Sequence, residues 1–456
     1  MKETKFKQTE VGMIPSDWEV CPLNFFADIL NGDRGVNYPK DSDFCDAGIP
    51  FINAGHLKKC QIDFSCMDYI TYEHYKKLGG VKIKKNDILF CLRGSLGKYA
   101  YVNFDDAAPA SSLCVLRSKK IDPKYLFQLL GFEYIKTQII DANSGSSQPN
   151  LSAKDVGNFN VIFPPTIEEQ QRIANALSDV DTLIVNLEKL IAKKKNIKQG
   201  AMQQLLTGHK RLPGFAPDER RKGCHSERSA KREVEESSGY KMTELGLIPS
   251  DWLQMKLRDL CYLITKQTGF DYSATIKPSL VTEESKETLP FIQNKDFEGT
   301  SINFATDFFI PKNIAANFPK ILLNEPVLLI SISGKIGNVA YFSHERDAFI
   351  GGAVGVARFN EKKYIKWTNL FLQSEYGQKQ IFANEKSGAQ HNLTIEDVRN
   401  LNVYMPSSCE EQTAIANVLS DMDAEISALE TKLAKYRTLK TGMMQQLLTG
   451  KIRLIK

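Results

Sequence analysis

The 41 residues from Glu168 to Gly208, EEQQRIANALSDVDTLIVNLEKLIAKKKNIKQGAMQQLLTG, return at Glu410 to Gly450 as EEQTAIANVLSDMDAEISALETKLAKYRTLKTGMMQQLLTG, with 24 of 41 positions identical. A long repeat within one chain means that one structural unit is used twice, and this constrains the fold more than any local pattern does. Two copies of one helical arm, separated by segments that match poorly, imply two related modules with different surfaces held at a fixed separation.

The repeat extends beyond the arms. Gly12-Met13-Ile14-Pro15-Ser16-Asp17-Trp18 recurs as Gly246-Leu247-Ile248-Pro249-Ser250-Asp251-Trp252, so each half opens with the same turn and a Trp able to anchor a domain. Pro50-Phe51-Ile52 answers Pro290-Phe291-Ile292, Arg93-Gly94-Ser95-Leu96-Gly97-Lys98 answers Ser333-Gly334-Lys335-Ile336-Gly337-Asn338, and Gln148-Pro149-Asn150-Leu151-Ser152 answers Gln390-His391-Asn392-Leu393-Thr394. The two halves are one fold written in two vocabularies.

Short apolar runs such as Asp87 to Leu92, Tyr99 to Phe104 and Leu113 to Arg117, set between Gly and Asn turns, read as strands. One helix is expected among them, capped by Asp122 with Pro123 at its first position and running to about Ile140. Ser152 and Thr394 each precede an Asp by three residues, a capping-box spacing. Phe163-Pro164-Pro165 and Met405-Pro406-Ser407 then break the domains from the arms, because Pro fixes φ and removes a donor.

The arms carry apolar residues at alternating spacings of four and three: Ile173, Leu177, Val180, Ile184, Leu187 and Ile191 in the first, and Ile415, Leu419, Met422, Ile426, Leu429, Leu433 and Tyr436 in the second. Heptads sustained over several turns predict a coiled-coil seam. At about 1.5 Å per residue, roughly 38 helical residues span about 57 Å. Each arm's simplest partner is the other, the alternative being that each packs on its own domain. The expected fold class is α+β: two repeated α+β domains joined by two long antiparallel helices in a coiled-coil spacer, with pseudo-two-fold symmetry. The organisation read from the pattern is a first domain over 1–165, a spacer over 166–208, a linker over 209–241, a second domain over 242–407 and a second spacer over 408–456. The linker assignment rests on composition, since KGCHSERSAKREVEESSGYK is rich in charge and small residues and nearly free of large apolar ones.

Composition mainly excludes. A net charge of +5 in 456 residues announces no uniformly basic surface, so any nucleic-acid contact must come from local charge. The nine cysteines lie scattered with no C-x-x-C pair, which argues against a zinc knuckle or a disulfide framework and favours a reducing cytoplasm. The charged N-terminus does not read as a signal peptide, and no apolar run is long enough for a membrane helix. No phosphate-binding loop, nucleophile elbow, H-E-x-x-H or dinucleotide fingerprint is present, so no catalytic residue, metal site or cofactor is expected in this chain.

Two diverged modules on a spacer suit a ligand that itself repeats, and duplex DNA with a split recognition site is the obvious one. Arg93 beside Gly94 and Ser95, with Lys98, and the polar run Asn143 to Gln148 with Ser146, offer donors for phosphate or base edges. The bland alternatives are a plain β-turn at Gly94 and, for Lys76, Lys77, Lys82, Lys84 and Lys85, a solvated face. A protein-binding scaffold and a regulator that binds partner subunits but no DNA remain alternatives of a different class.

Taken together, the paired arms opening Glu-Glu-Gln and closing Gln-Gln-Leu-Leu-Thr-Gly, the Ile-Pro-x-x-Trp openings, the R-G-S-x-G-K turn and the S-G-S-S-Q-P-N-L loop give a chain that resembles the specificity subunit of type I restriction-modification enzymes. The resemblance covers nearly the whole chain except the linker. It implies that the domains are target recognition domains, each reading half of a bipartite double-stranded DNA target, and that the arms dock two modification (methyltransferase) subunits, with restriction subunits completing the complex. S-adenosylmethionine, ATP and Mg2+ are then expected to serve those partners rather than this chain.

The repeat also sorts residues. Features common to both halves, such as Gln148 and Gln390, Asn150 and Asn392, and the Gly94 and Gly334 turns, cannot encode a difference between half-sites and suit structure or phosphate positioning. Base readout is expected where the halves disagree: Asn31 to Asp43 against Thr265 to Ser279, and Ser65 to Lys85 against Ala305 to Leu323. Arg34, Asn37, Lys266 and Gln267 lead that set, joined as DNA-contact candidates by Arg93, Ser95, Lys98, Ser146, Gln148, Lys335 and Gln390. The second half has Ser333 where the first has Arg93, so no shared role is expected for that arginine.

Overall fold

A computed structural model of the chain describes residues 5–143, 149–215, 239–299, 301–383 and 392–455. The chain folds as two compact units, one formed by Met1–Leu190 with Leu429–Lys456, the other by Ile191–Ala428. The first unit therefore takes its last segment from the far end of the chain.

In the first unit a four-stranded antiparallel sheet has the order Tyr99–Tyr101, Ile88–Cys91, Leu113–Ser118, Ala27–Asn31. Its inner strands are buried on both faces, because side chains alternate along a strand. Ile88, Phe90, Cys114 and Leu116 enter one core with Trp18, Tyr125 and Leu129, while Leu89, Cys91, Leu113 and Val115 enter another with Ile52, Leu57 and Ile83. That is why these strands read as continuous apolar runs. A second, smaller sheet has the order Ala108–Pro109, Ile49–Ile52, Asp68–Ile70, Phe44–Cys45, its first pair parallel.

The second unit repeats this plan. Its larger sheet runs Cys261–Lys266, Val354–Phe359, Val327–Ser331, Val339–Phe342, and its smaller one has Thr288–Ile292 parallel to Ala348–Ile350. Leu328 and Ile330 face one core, and Val327 and Leu329 the other.

The single helix expected from Asp122 to about Ile140 is two, Pro123–Leu130 and Glu133–Ala142. Asp122 caps the first through the amides of Lys124 and Tyr125, and the chain then turns extended at Phe132 (φ −75°, ψ 143°). A Cβ on Gly131 would lie 2.5 Å from the Tyr99 hydroxyl, so a larger residue here would require Tyr99 to shift. The second unit breaks at the same place, at Ser374 between Lys363–Gln373 and Glu375–Ala383. Both capping boxes form: Asp155 accepts from the Ser152 amide at 2.8 Å and Asp397 from the Thr394 amide at 2.9 Å.

Each arm is one helix of 39 residues, Ile167–Leu205 and Cys409–Leu447. Inside each unit two arm segments run antiparallel, since one number falls as the other rises along the ion pairs. In the first unit Asp181 meets Lys440 and Glu188 meets Arg437, both at 2.6 Å; in the second Lys194 meets Glu425 at 2.6 Å and Lys198 meets Asp423 at 2.5 Å. Of the residues expected on the seam, Ile173, Leu177, Val180, Ile191, Ile415, Leu419, Ile426 and Leu433 are buried, while Ile184, Leu187, Met422, Leu429 and Tyr436 are half-buried.

Arm-to-arm pairing and packing on a domain are not alternatives here. Ile173, Ala174 and Leu177 join the Trp18 core together with Met444, Leu447 and Leu448 from the end of the other arm. Ile415, Ala416 and Leu419 likewise join the Trp252 core with Leu205 and Leu206. The Glu-Glu-Gln opening explains itself locally. Gln170, buried, donates to the Pro164 carbonyl at 3.0 Å and accepts from the Asp122 amide at 2.8 Å; Gln412 donates to the Pro406 carbonyl at 2.8 Å. The glutamine thus ties the first turn of each helix to the domain it leaves.

The segment from His209, read from composition as linker, contains a residue whose side chain is only 7% exposed. Arg211 donates to both oxygens of the fully buried Glu411 and to Asp251, and burial, which would lower the guanidinium pKa, is outweighed by the two carboxylates, which hold it above its ordinary value. Composition averaged over the segment hides one well-placed arginine. Among the described residues no helix is long and apolar enough to cross a membrane.

Candidate nucleic-acid interface

In the first unit, three separate segments meet at one end of the larger sheet. The turn Arg93–Lys98 links the strands Ile88–Cys91 and Tyr99–Tyr101: the Cys91 amide donates to the Lys98 carbonyl at 2.8 Å, and Gly94 and Gly97 take φ of +76° and +73°, where a side chain would be strained. Arg93 pairs through its backbone with Asn150, and its Nε donates to Asn150 Oδ1 at 3.3 Å. The Leu92 amide donates to Ser112, and Arg34 Nη2 reaches the neighbouring Ser111 carbonyl at 3.2 Å. Arg34, Arg93, Ser95 and Lys98 are therefore gathered at one edge with exposed side chains.

The loop after Asn31 is braced rather than slack. Asp33 accepts from the Gly35 amide at 2.6 Å and the Gly79 amide at 2.7 Å, and these two bonds hold its carboxyl below the usual carboxylate range. A Cβ on Gly80 would lie 2.1 Å from the Asp33 nitrogen, so only glycine permits that approach. Asn37 donates to the Lys77 carbonyl at 2.9 Å, and the His74 ring bonds the Asn37 carbonyl at 2.9 Å. The exposed Asn37 thus fixes the loop to the helix Tyr72–Lys77 through one N–H of its amide.

The second unit assembles the same edge from different residues. Ser333 pairs through its backbone with Asn392, as Arg93 does with Asn150. Gly334 and Gly337 again take positive φ, +75° and +88°. Asn294 braces this turn by donating to the carbonyls of Ser333 at 3.1 Å and Lys335 at 2.7 Å, while accepting from Asn338 at 3.1 Å. Sequence reading missed Asn294, and no local signal could have found it, since its acceptors are backbone carbonyls 39 and 41 residues away. The side chains of Lys266 and Lys335 are exposed at this edge.

Gln267, expected at a base edge, is instead buried at 4% exposure, and neither atom of its amide has a partner among the described residues. The cause is a reciprocal exchange of size between the repeats. In the first unit Gly32 fits where a Cβ would lie 2.5 Å from the Pro109 carbonyl; in the second, Gly352 provides no side chain and the Gln267 Oε1 lies 3.3 Å from where its Cβ would be. Ser146, Gln148 and Gln390 lie outside the described residues. Asn150 and Asn392, shared by both halves, each form a backbone bridge, to Arg93 and to Ser333.

This edge offers exposed cations and polar side chains on a rigid sheet end. Among the described residues no group of three or more His, Cys, Asp or Glu is placed to hold a metal ion. What varies between the units is the loop cargo; what is common is the scaffold.

The family model described as the type I restriction modification DNA specificity domain matches the chain twice, over residues 15–199 and 249–435. Over 99% of its length the chain is similar, at 26% identity, to a putative type I restriction enzyme specificity subunit of Methanocaldococcus jannaschii, covering 97% of that protein. A 207-residue stretch, 43% of this chain and 42% of the relative, is 27% identical to the EcoBI specificity subunit of Escherichia coli. The fold is similar to the crystal structure of a type I restriction-modification S subunit from M. genitalium, with a TM-score of 0.56 at 15% identity over 97% of this chain and 98% of that one. It is equally similar, with a TM-score of 0.56 at 17% identity over 96% and 99%, to a chain from a study of assembly and conformational transition of the type I R-M system. Because the specificity-domain model matches both repeats and together they make up most of the chain, the protein belongs to the type I restriction-modification specificity family, whose part is DNA sequence recognition.

Proposed function

We propose that the protein gives a type I restriction-modification complex a bipartite, asymmetric DNA target, each domain reading one half-site. The observation that carries this reading is the contrast inside the repeat: the sheet edge is built on one plan in both units, while the loops it presents, Asn31 to Asp43 and Thr265 to Ser279, share little beyond Gly35 with Gly269 and Tyr38 with Tyr272. A common scaffold with different loops suits two different short sequences. Lys266, Lys335, Arg34, Arg93 and Lys98 supply the charge for phosphate and base contacts.

The duplicated arms are the docking elements in this reading. Two related helical surfaces, identical at 24 of 41 positions, suit two copies of one partner, the modification subunit, and restriction subunits complete the assembly. The chain itself is non-catalytic and works in the cytoplasm, S-adenosylmethionine, ATP and Mg2+ being used by the partners. Methylation sequencing of a strain with the chain deleted and then restored tests this. A two-part adenine-methylated motif should vanish and return with the chain; persistence of every such motif without it overturns the reading. A protein-binding scaffold would instead show affinity that is insensitive to salt, whereas DNA binding through phosphates weakens steeply as salt rises.

A further inference from the structure

Val36 and Phe270 are the two most exposed large apolar side chains among the described residues, at 97% and 81%. Both stand in the loop that follows the outer strand of the larger sheet, Val36 five residues after Asn31 and Phe270 four residues after Lys266. One exposed apolar side chain needs no explanation. The two extremes of the chain standing at the same place in a frame that both repeats share, Gly35-Val36-Asn37-Tyr38 and Gly269-Phe270-Asp271-Tyr272, do need one.

Each side chain is held out rather than loosely placed. Val36 sits between Gly35, whose amide is bound to Asp33 at 2.6 Å, and Asn37, whose side chain is bound to Lys77 at 2.9 Å. Phe270 sits inside a local box in which the Thr268 hydroxyl accepts from the Asp271 amide at 3.1 Å and bonds its carboxylate at 2.6 Å. The two side chains are thus presented by braced turns, so little ordering is lost when they meet a ligand. Exposed cations precede them in the same loops, Arg34 two residues before Val36 and Lys266 four residues before Phe270. A lone apolar knob among cations fits a nucleic-acid groove better than a protein patch, which would need a contiguous apolar area. The apolar group that the major groove of DNA offers is the thymine 5-methyl.

We propose that Val36 and Phe270 each contact a thymine 5-methyl group, one in each half of the target, and so select A·T pairs at those positions. This rests on the DNA-recognition reading above. The test uses the complete chain assembled with its modification subunits, and duplexes bearing the methylated motif in which the thymines of one half are replaced by uracil. For the wild-type complex, uracil in either half should weaken binding about fourfold, the effect of one buried methyl group. Val36→Ala should bind thymine and uracil duplexes equally in one half and keep the discrimination in the other; Phe270→Ser should do the reverse. Both positions are solvent-exposed, and unchanged circular dichroism would verify folding.

Wild-type indifference to uracil, variants that keep the full discrimination, or half-sites with no A·T pair would each overturn the proposal. Loss of subunit assembly in the variants would also overturn it, by marking the tips as protein contacts. If the wild-type complex binds the motif no better than a scrambled duplex, the DNA-recognition reading fails itself, an outcome distinct from specific binding that ignores the thymine methyl.

Discussion

Arg453 grips Glu169 with two parallel hydrogen bonds, Nε to Oε1 at 2.5 Å and Nη2 to Oε2 at 2.7 Å, and holds Asp17 with Nη1 at 2.9 Å. These residues are 284 and 436 positions apart in sequence. Arg211, Glu411 and Asp251 form the same triad in the second unit, so the end of each arm locks onto the start of the other arm and the opening turn of its domain. The Glu169 carboxylate is 1% exposed, and a buried charge left without its partner costs about 3–5 kcal/mol. Arg453→Ala should therefore destabilise the first unit by about that amount, and Arg453→Lys should not restore it, because an ammonium cannot make the two-pronged contact. Peptide-resolved hydrogen exchange is the measurement; unchanged protection around Trp18 and Ile173 would disprove the account.

Gly450 and Gly208, the last residues of the duplicated Leu-Leu-Thr-Gly, take φ of +69° and +72°. A Cβ on Gly450 would lie 2.5 Å from Pro15 Cγ, and one on Gly208 would lie 2.3 Å from Pro249 Cδ. Gly12, at φ +100°, has nothing within 4 Å of its Cβ position. Gly12→Ala should show the backbone strain alone, about 1–2 kcal/mol, and Gly450→Ala should cost clearly more, because the helix end must also back away from the Pro15–Trp18 turn. Equal losses in urea unfolding would show that the close packing carries no weight.

The outline of this fold is legible because its signals are periodic or local. The heptad in each arm, the runs at Ile88–Cys91 and Leu113–Ser118, and the Ser152–Asp155 spacing are all fixed by neighbours within a few residues. What escaped detection depends on distant partners. Arg211 looks like one more cation in a polar stretch until Glu411 is folded against it, and Asn294 looks like a surface residue until the Ser333 turn arrives. Gln267 misled for the same reason: its burial is set by the absence of a side chain at Gly352, far along the chain. Arg34 and Lys266, named from the divergence of the halves, are exposed at the sheet end, whereas the burial of Gln267 was not legible.

Asp155 accepts from the Ser152 hydroxyl at 2.7 Å and from its amide, and these bonds hold its carboxyl below the ordinary value of 3.8. A depressed carboxylate favours the folded state above the unfolded value, and that contribution is lost as pH falls through the lower folded value. Ser152→Ala should destabilise the first unit by about 1 kcal/mol at neutral pH, as for loss of a cap. The gap between variant and wild type should then narrow below pH 3.8, the remainder being the cap bond from the Asp155 amide, which does not titrate. A gap that stays constant across an acid titration of stability would mean that the hydroxyl does not act through the Asp155 charge.

Leu187 and Leu429 are half-buried on the paired arm segments of the first unit, which Glu188–Arg437 and Asp181–Lys440 also join. Exposed ion pairs of this kind contribute at most about 1 kcal/mol each, so the apolar seam must carry the pairing. Changing both leucines to lysine removes apolar burial worth about 1–3 kcal/mol and puts a charge at two points of the seam. The domain itself should survive, because Ile173 and Leu177, earlier on the same helix, are fully buried in the Trp18 core together with Met444 and Leu448. Hydrogen exchange should therefore quicken roughly 5- to 150-fold between residues 180 and 190 and between 429 and 440, while the sheet amides at Ile88–Cys91 keep their protection. Exchange that rises equally in the sheet would mean that arm pairing and domain folding are one cooperative event, and exchange that rises nowhere would remove the seam as the source of the pairing.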